Sequence, residues 1–348
     1  QNDDVLTEFL TSSLRVPDLI LPNHIFPKPK PSPPPPSLSL QNLTLTLNPK
    51  FIESVSSLGC FQIVNHGIER EIVKSAMESA KGVFELSKEK KSLVKKKVLQ
   101  GGFGFEDDED EEEEEEEERE NERREREEFV WGREEDENLK VALEGIWPHG
   151  YSYFRERMEV LMNKMGEIAE KILPILSENF LKNSTPNGKT MGTKQASSIC
   201  CLHRQCQNIP PDQFLGTIRC EVIRMLIRGI EYSHALCLHL CDGVSEFHVY
   251  SKKGWVSFCP DHDALVVTIG DQIQTWSGGH FKHVIGRPIF KGEDEDKISL
   301  AFLYSPPSII NNSDEITKEK TISLGLQFIL AILLTLAYQF LIHMFKKF

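Results

Sequence analysis

The sequence predicts an α+β protein: a helical first half wrapped on a jelly roll, followed by a C-terminal transmembrane helix. Three observations carry that prediction. Apolar residues recur at helical spacing before residue 180, whereas beyond 198 short apolar runs are punctuated by Gly, Pro and Asp. Residues 321–345 then form 25 consecutive positions without a formal charge, counting His343 as neutral. At about 1.5 Å per residue such a helix spans the roughly 30 Å hydrocarbon core of a bilayer.

At the N-terminal end, residues 1–37 finish in "PKPKPSPPPPS", which lacks backbone donors and reads as a stiff polyproline II connector. Its PxxP spacing also suits an SH3-like partner. "LSLQNLTLTL" alternates apolar and polar positions, as one or two short strands do. In "NPKFIESVSSLGCFQIVNHGI" a helical pattern stops at Gly59 and an apolar strand follows, within a region set at 38–105. Residues 106–128 hold 18 acids against four arginines, or −14, so the rest of a chain of formal charge −13 is near +1. This run reads as a solvated insert, with a basic protein partner or loosely held cations as its functional readings. With no basic groove of interleaved aromatics, nucleic acid is not an expected partner.

The region 129–197 is predicted helical. Phe154, Met158, Leu161, Met162, Met165, Ile168, Ala169, Ile172 and Leu173 fall on one face of a helix that Pro174 is expected to kink. The runs "LCLHLC", "EFHVYS", "GWVSFCP", "ALVVTIG", "FKHVIGRPIF" and "ISLAFLYSPP" place a jelly roll at 198–307. After a linker at 308–320, the apolar stretch 321–345 is flanked by Lys318, Lys320, Lys346 and Lys347. With three residues beyond it, the expected arrangement is a single-pass tail anchor with the main domain facing the cytosol. Lysines on both sides leave endoplasmic reticulum and organelle outer membrane equally open. Eight cysteines in a chain of 348 residues without a visible signal peptide suggest reduced thiols. The chain begins at Gln1, so that missing signal carries little weight.

Three ordered strings carry a resemblance. "GCFQIVNHGI" (59–68), "ALVVTIGDQIQTWSGGHFKHVIGR" (264–287) and "KISLAFLYSPP" (297–307) resemble the plant 2-oxoglutarate/Fe(II)-dependent dioxygenases related to isopenicillin N synthase. The resemblance implies a cupin-like double-stranded β-helix and, in an active member, Fe(II) and 2-oxoglutarate as cofactors. It also implies a His-x-Asp pair and a distant His on one face of the iron. Here the first pair falls on Gly229 and Glu231, or on Ile230 and Tyr232, and the distant His on Gly286. The co-substrate Arg-x-Ser falls on Lys297 and Ser299, and an assisting tyrosine on Arg204, which gives Lys297, Ser299 and Arg204 as co-substrate candidates.

No catalytic residue is assigned by this matching, and the iron and co-substrate sites are degenerate. Glu231, His234 and His283 are the nearest replacement ligands. Cys237, His239 and Cys241 share a face of one strand, and "CCLHRQC" offers Cys200, Cys201, His203 and Cys206, but neither has a spacing diagnostic of a metal. Two functions follow as expectations. One is a membrane-anchored binding or scaffolding pseudoenzyme with a small-molecule pocket in the jelly roll. The other is an active non-haem iron oxidoreductase with a remodelled site. An acidic, cation-buffering membrane-surface protein is a third reading, resting on the glutamate run alone.

Overall fold

Gly59 explains the first element boundary. Helix α1 (Pro49–Leu58) starts at a proline, whose missing N–H costs nothing at a helix N-terminus. It ends where Gly59 takes φ +74°, and a Cβ there would lie 2.8 Å from the Lys282 carbonyl oxygen. Strand β3 (Cys60–Val64) follows directly. In the computed structural model, the described residues are 30–40, 49–95, 103–105, 126–132, 137–177, 197–205, 232–241, 246–251, 254–290 and 297–307.

The other helices are α2 (Arg70–Phe84), α3 (Lys88–Ser92), α4 (Glu137–Ile146), α5 (Pro148–Ser177) and α6 (Asp271–Trp276). The remaining strands are β1 (Lys30–Pro31), β2 (Ser37–Ser39), β4 (Gly104–Phe105), β5 (Arg126–Gly132) and β6 (Ser197–Gln205). They continue with β7 (Leu236–Leu240), β8 (Glu246–Ser251), β9 (Gly254–Phe258), β10 (Leu265–Ile269), β11 (Ile285–Ile289) and β12 (Lys297–Ser305). Among the described residues they make two sheets, a larger one ordered β2-β3-β10-β7-β12-β6-β5-β4 and a smaller one ordered β1-β9-β8-β11.

Strand alternation gives the larger sheet two different faces. Phe61, Ile63, Leu236, Leu238, Leu265, Val267, Leu300 and Phe302 face one way and join α2 and α5 in the main core. Helix α5 supplies Phe154, Met158, Leu161, Met162, Met165, Ile168, Ala169 and Ile172, as its periodicity predicts. Leu176 rather than Leu173 is buried at the next turn, while Leu173 packs at the margin. On the other face Cys60, Cys241 and Val266 meet Phe247, Val249 and Phe258 of the smaller sheet. This second core is the interior of the jelly roll.

Three expectations are corrected. The larger sheet is not confined to the segment 198–307, because β2 to β5, from before it, hydrogen-bond into it. Arg126–Glu128 are the first residues of β5 rather than insert; the rest of the acidic run lies outside the described residues. The proline-rich segment is no free connector, since β1 pairs with β9 of one sheet and β2 with β3 of the other. Pro35, between them, is buried. Among the described residues no helix is long and apolar enough to cross a membrane; 321–345 lies outside them.

Candidate functional site

The interior face of β7 carries Cys237 and His239, with Cys241 just beyond it, and β10 contributes Val266 and Thr268 beside them. From the smaller sheet, Gly286 of β11 sits opposite Val249, next to inward-facing Phe247. Gly286 is the position that resemblance gives to the distant iron histidine. A Cβ added there would stand 2.6 Å from Phe247 Cε1, 2.7 Å from its Cζ and 2.9 Å from Thr268 Cγ2. Phe247 is fully buried, and its ring meets His239 edge to face at 5.1 Å. His239 Nε2 in turn lies 3.4 Å from the Thr268 hydroxyl. At this position the chain offers no ligand atom and no room for one.

The row Cys237, His239, Cys241 is packed rather than open. Cys241 points its thiol at the His239 carbonyl at 3.6 Å, and burial pushes that thiol up to about 12, so it stays protonated. Among the described residues no group of three or more His, Cys, Asp or Glu side chains is arranged to hold a metal ion.

His234 and His283 are brought together. Both are buried, with ring centroids 5.8 Å apart and planes at 85°. His234 lies before β7 and His283 before β11; Asp271 at the start of α6 holds the His234 backbone N–H at 2.9 Å. His234 Nδ1 is 2.8 Å from the Tyr232 carbonyl, which can only accept, so that nitrogen carries a proton. Among the described residues His283 Nδ1 has no hydrogen-bond partner. Burial first, and the nearby His234 second, lower the His283 pKa to about 4. Glu231, the third proposed ligand, lies outside the described residues.

At the other end of the interior, Lys297 and Ser299 share the inner face of β12 with Ala301 and Leu303. Arg204 is not brought to them. It lies on the helix side of β6 with Cys200 and Leu202. There its Nη2 lies 2.9 Å from Glu127 Oε2 as an ion pair, and its guanidinium covers the Phe84 ring at 5.8 Å. Lys91 binds the other Glu127 oxygen at 2.6 Å. The residue that does face Ser299 is His203, its direct cross-strand neighbour, with Ser299 Oγ 3.5 Å from the His203 carbonyl. Alternation along "SSICCLHRQ" pairs His203 with Cys201 on one face, a signal that the loose matching to Arg204 ignored.

Two family profiles match the chain: the N-terminal region of non-haem dioxygenases in morphine synthesis over residues 46–150, and the 2OG-Fe(II) oxygenase superfamily over 230–306. The chain belongs to the 2-oxoglutarate/Fe(II) oxygenase superfamily. Jasmonate-induced oxygenase 3 of Arabidopsis thaliana is 26% identical over 270 residues, covering 75% of this chain and 68% of that one. 1-Aminocyclopropane-1-carboxylate oxidase 4 of Solanum lycopersicum is 25% identical over 283 residues, covering 76% and 78%. The fold is similar to that of JOX2, solved in complex with 2OG, Fe and JA, at TM-score 0.54 and 19% identity over 86% of this chain and 83% of that one. It is also similar to that of the auxin-oxidising dioxygenase AtDAO1 of Arabidopsis thaliana, at TM-score 0.51 and 16% identity over 82% and 98%. For this superfamily member, the residues around Gly286 do not fit the iron that the family's fold implies.

Proposed function

We propose that the protein is an oxygenase-fold binding or scaffolding module that has lost iron chemistry and is tethered to a membrane through 321–345. The observation that carries this reading is Gly286, whose side-chain volume Phe247 and Thr268 already fill. A site that has merely lost a ligand keeps the space for it; here aromatic packing has closed that space. The main domain faces the cytosol at the endoplasmic reticulum or an organelle outer membrane. The acidic run 106–125 offers itself to a basic protein partner, and the jelly-roll interior to a small molecule. The test is anaerobic loading of the full chain in detergent with Fe(II), followed by iron analysis and an assay of 2-oxoglutarate conversion to succinate. Iron well below one per chain and no succinate above the protein-free control are expected. Stoichiometric tight iron with turnover overturns the reading.

A second reading is favoured by the buried His234 and His283 pair and by the oxygenase names of the relatives. It is an iron oxidoreductase whose metal has moved to those histidines, with Glu231 as the oxygen ligand. The same experiment supports it if His283→Ala abolishes both iron binding and turnover.

A further inference from the structure

Helix α6 and the turn behind it present the one exposed tryptophan of the four in the chain. Trp131 and Trp255 are buried and Trp147 packs against the main core, whereas Trp276, the last residue of α6, is 45% exposed. Hydrogen bonds fix its place. The Gln272 side-chain amide donates to the Ser305 hydroxyl at 2.9 Å, and that hydroxyl donates to the Ser233 carbonyl at 2.8 Å, which ties α6 to the end of β12. Gln272 and Trp276, four residues apart, share a face of the helix. The turn that follows is closed by its own bonds: the Gly279 N–H donates to the Gln274 carbonyl at 2.7 Å, the Phe281 N–H donates to the Ser277 hydroxyl at 3.1 Å, and the Phe281 ring is fully buried. Trp276 and His280 are left exposed and Lys282 half-buried. Residues 272–292 contain no acid, and the carboxylate of Asp271 is engaged by the Ser233 hydroxyl at 2.6 Å and the His234 N–H at 2.9 Å.

Resting on the membrane tether of the reading above, we propose that the surface around Trp276 docks the folded domain on the headgroup region of the bilayer that holds 321–345. Fifteen residues, 306–320, separate the end of β12 from that apolar stretch. At about 3.5 Å per residue they reach at most roughly 50 Å, no more than the width of a domain of this size. The end of β12 is therefore the part of the fold kept nearest the lipid, and Trp276 stands beside it. Tethering raises the effective concentration of lipid at this surface, so a small patch suffices. Tryptophan suits the zone, because an indole rests its apolar body at the membrane boundary while its N–H stays wet. His280 and Lys282, in a stretch free of acids, suit the anionic surface of a cytoplasmic leaflet.

The test is tryptophan quenching in the full chain reconstituted into vesicles of phosphatidylcholine with a minority of phosphatidylserine. The phosphatidylcholine is brominated high on its acyl chains, with unbrominated vesicles as the control. Residues 321–345 contain no tryptophan, so insertion of the tail alone quenches nothing. Expected is loss of the Trp276 share of the emission, a loss absent from Trp276→Phe, whose thermal melt confirms folding. Trp276→Tyr serves as a second variant. Flotation of the same vesicles reports the tether separately. A chain that floats without quenching overturns the docking and leaves the tether standing. Equal quenching in Trp276→Phe also overturns it, since another tryptophan then lies at the lipid. A chain that does not float overturns tether and docking together.

Discussion

Adding one carbon at Gly286 forces atoms into space held by Phe247 and Thr268. Gly286→Ala is therefore expected to destabilise the fold by about 1–3 kcal/mol, the usual cost of overpacking. In Phe247→Ala the same substitution costs much less, a non-additivity that denaturant midpoints of the two singles and the double will reveal. Additive costs would mean that Phe247 does not fill the slot. His283 makes a second prediction at this scale. Its pKa is about 4 folded against 6.5 free, with burial the main cause. Between those values the unfolded chain takes up a proton that the folded chain refuses. This contribution to stability is whole above pH 6.5 and is lost as pH falls towards 4. Urea midpoints with a chelator present should drop from pH 7 to pH 5, and His283→Gln should flatten the drop. An equal drop in the variant would assign the pH dependence to other groups.

Among the elements, the proline-rich strap was the least legible. Composition marked it as extended, but while β3 lies close in sequence, its partner Asp261 stands 224 residues from Ser37 and β9 is equally remote. Gln62, fully buried, accepts from the Asp261 backbone N–H at 2.7 Å and reaches the Pro35 carbonyl at 3.4 Å. The Ser37 hydroxyl donates to Asp261 at 2.5 Å, and Ser32 N–H donates to the Ser257 carbonyl at 2.8 Å. Gln62→Ala leaves the Asp261 N–H without its acceptor and should cost about 1–3 kcal/mol. It should also speed proteolysis near residues 30–40, read by mass spectrometry of limited digests; unchanged cleavage there would show that the strap is held by its strands alone. Strand β5 teaches the same lesson in another way. "REEFVWG" has strand alternation, but the charge run before it masked the pattern, and only pairing with β6 assigns Glu127 to Arg204 and Glu128 to the interior.

For the whole molecule, the decisive question is how the folded part is held in the cell. The 25 uncharged residues at 321–345 predict that alkaline carbonate leaves the full chain in the membrane pellet and releases a chain truncated after Lys320. Release of both would show that the tail does not insert. Jelly-roll texture, the amphipathic helix and the helix-to-strand turn at Gly59 were all readable, because each is written in local periodicity or in one residue's backbone freedom.

The sequence by itself determined the superfamily, the layering of helices on a jelly roll, and the absence of a ligand atom at Gly286. Those follow from residue types at fixed spacings. What only the tertiary structure decided was which side of each strand faces inward and what fills the space behind a missing side chain. Phe247 in the place of a histidine, His203 rather than Arg204 beside Ser299, and Glu128 inside rather than in solvent all depend on strand register between distant segments. A one-residue change of register reverses every such assignment, and no local pattern encodes it.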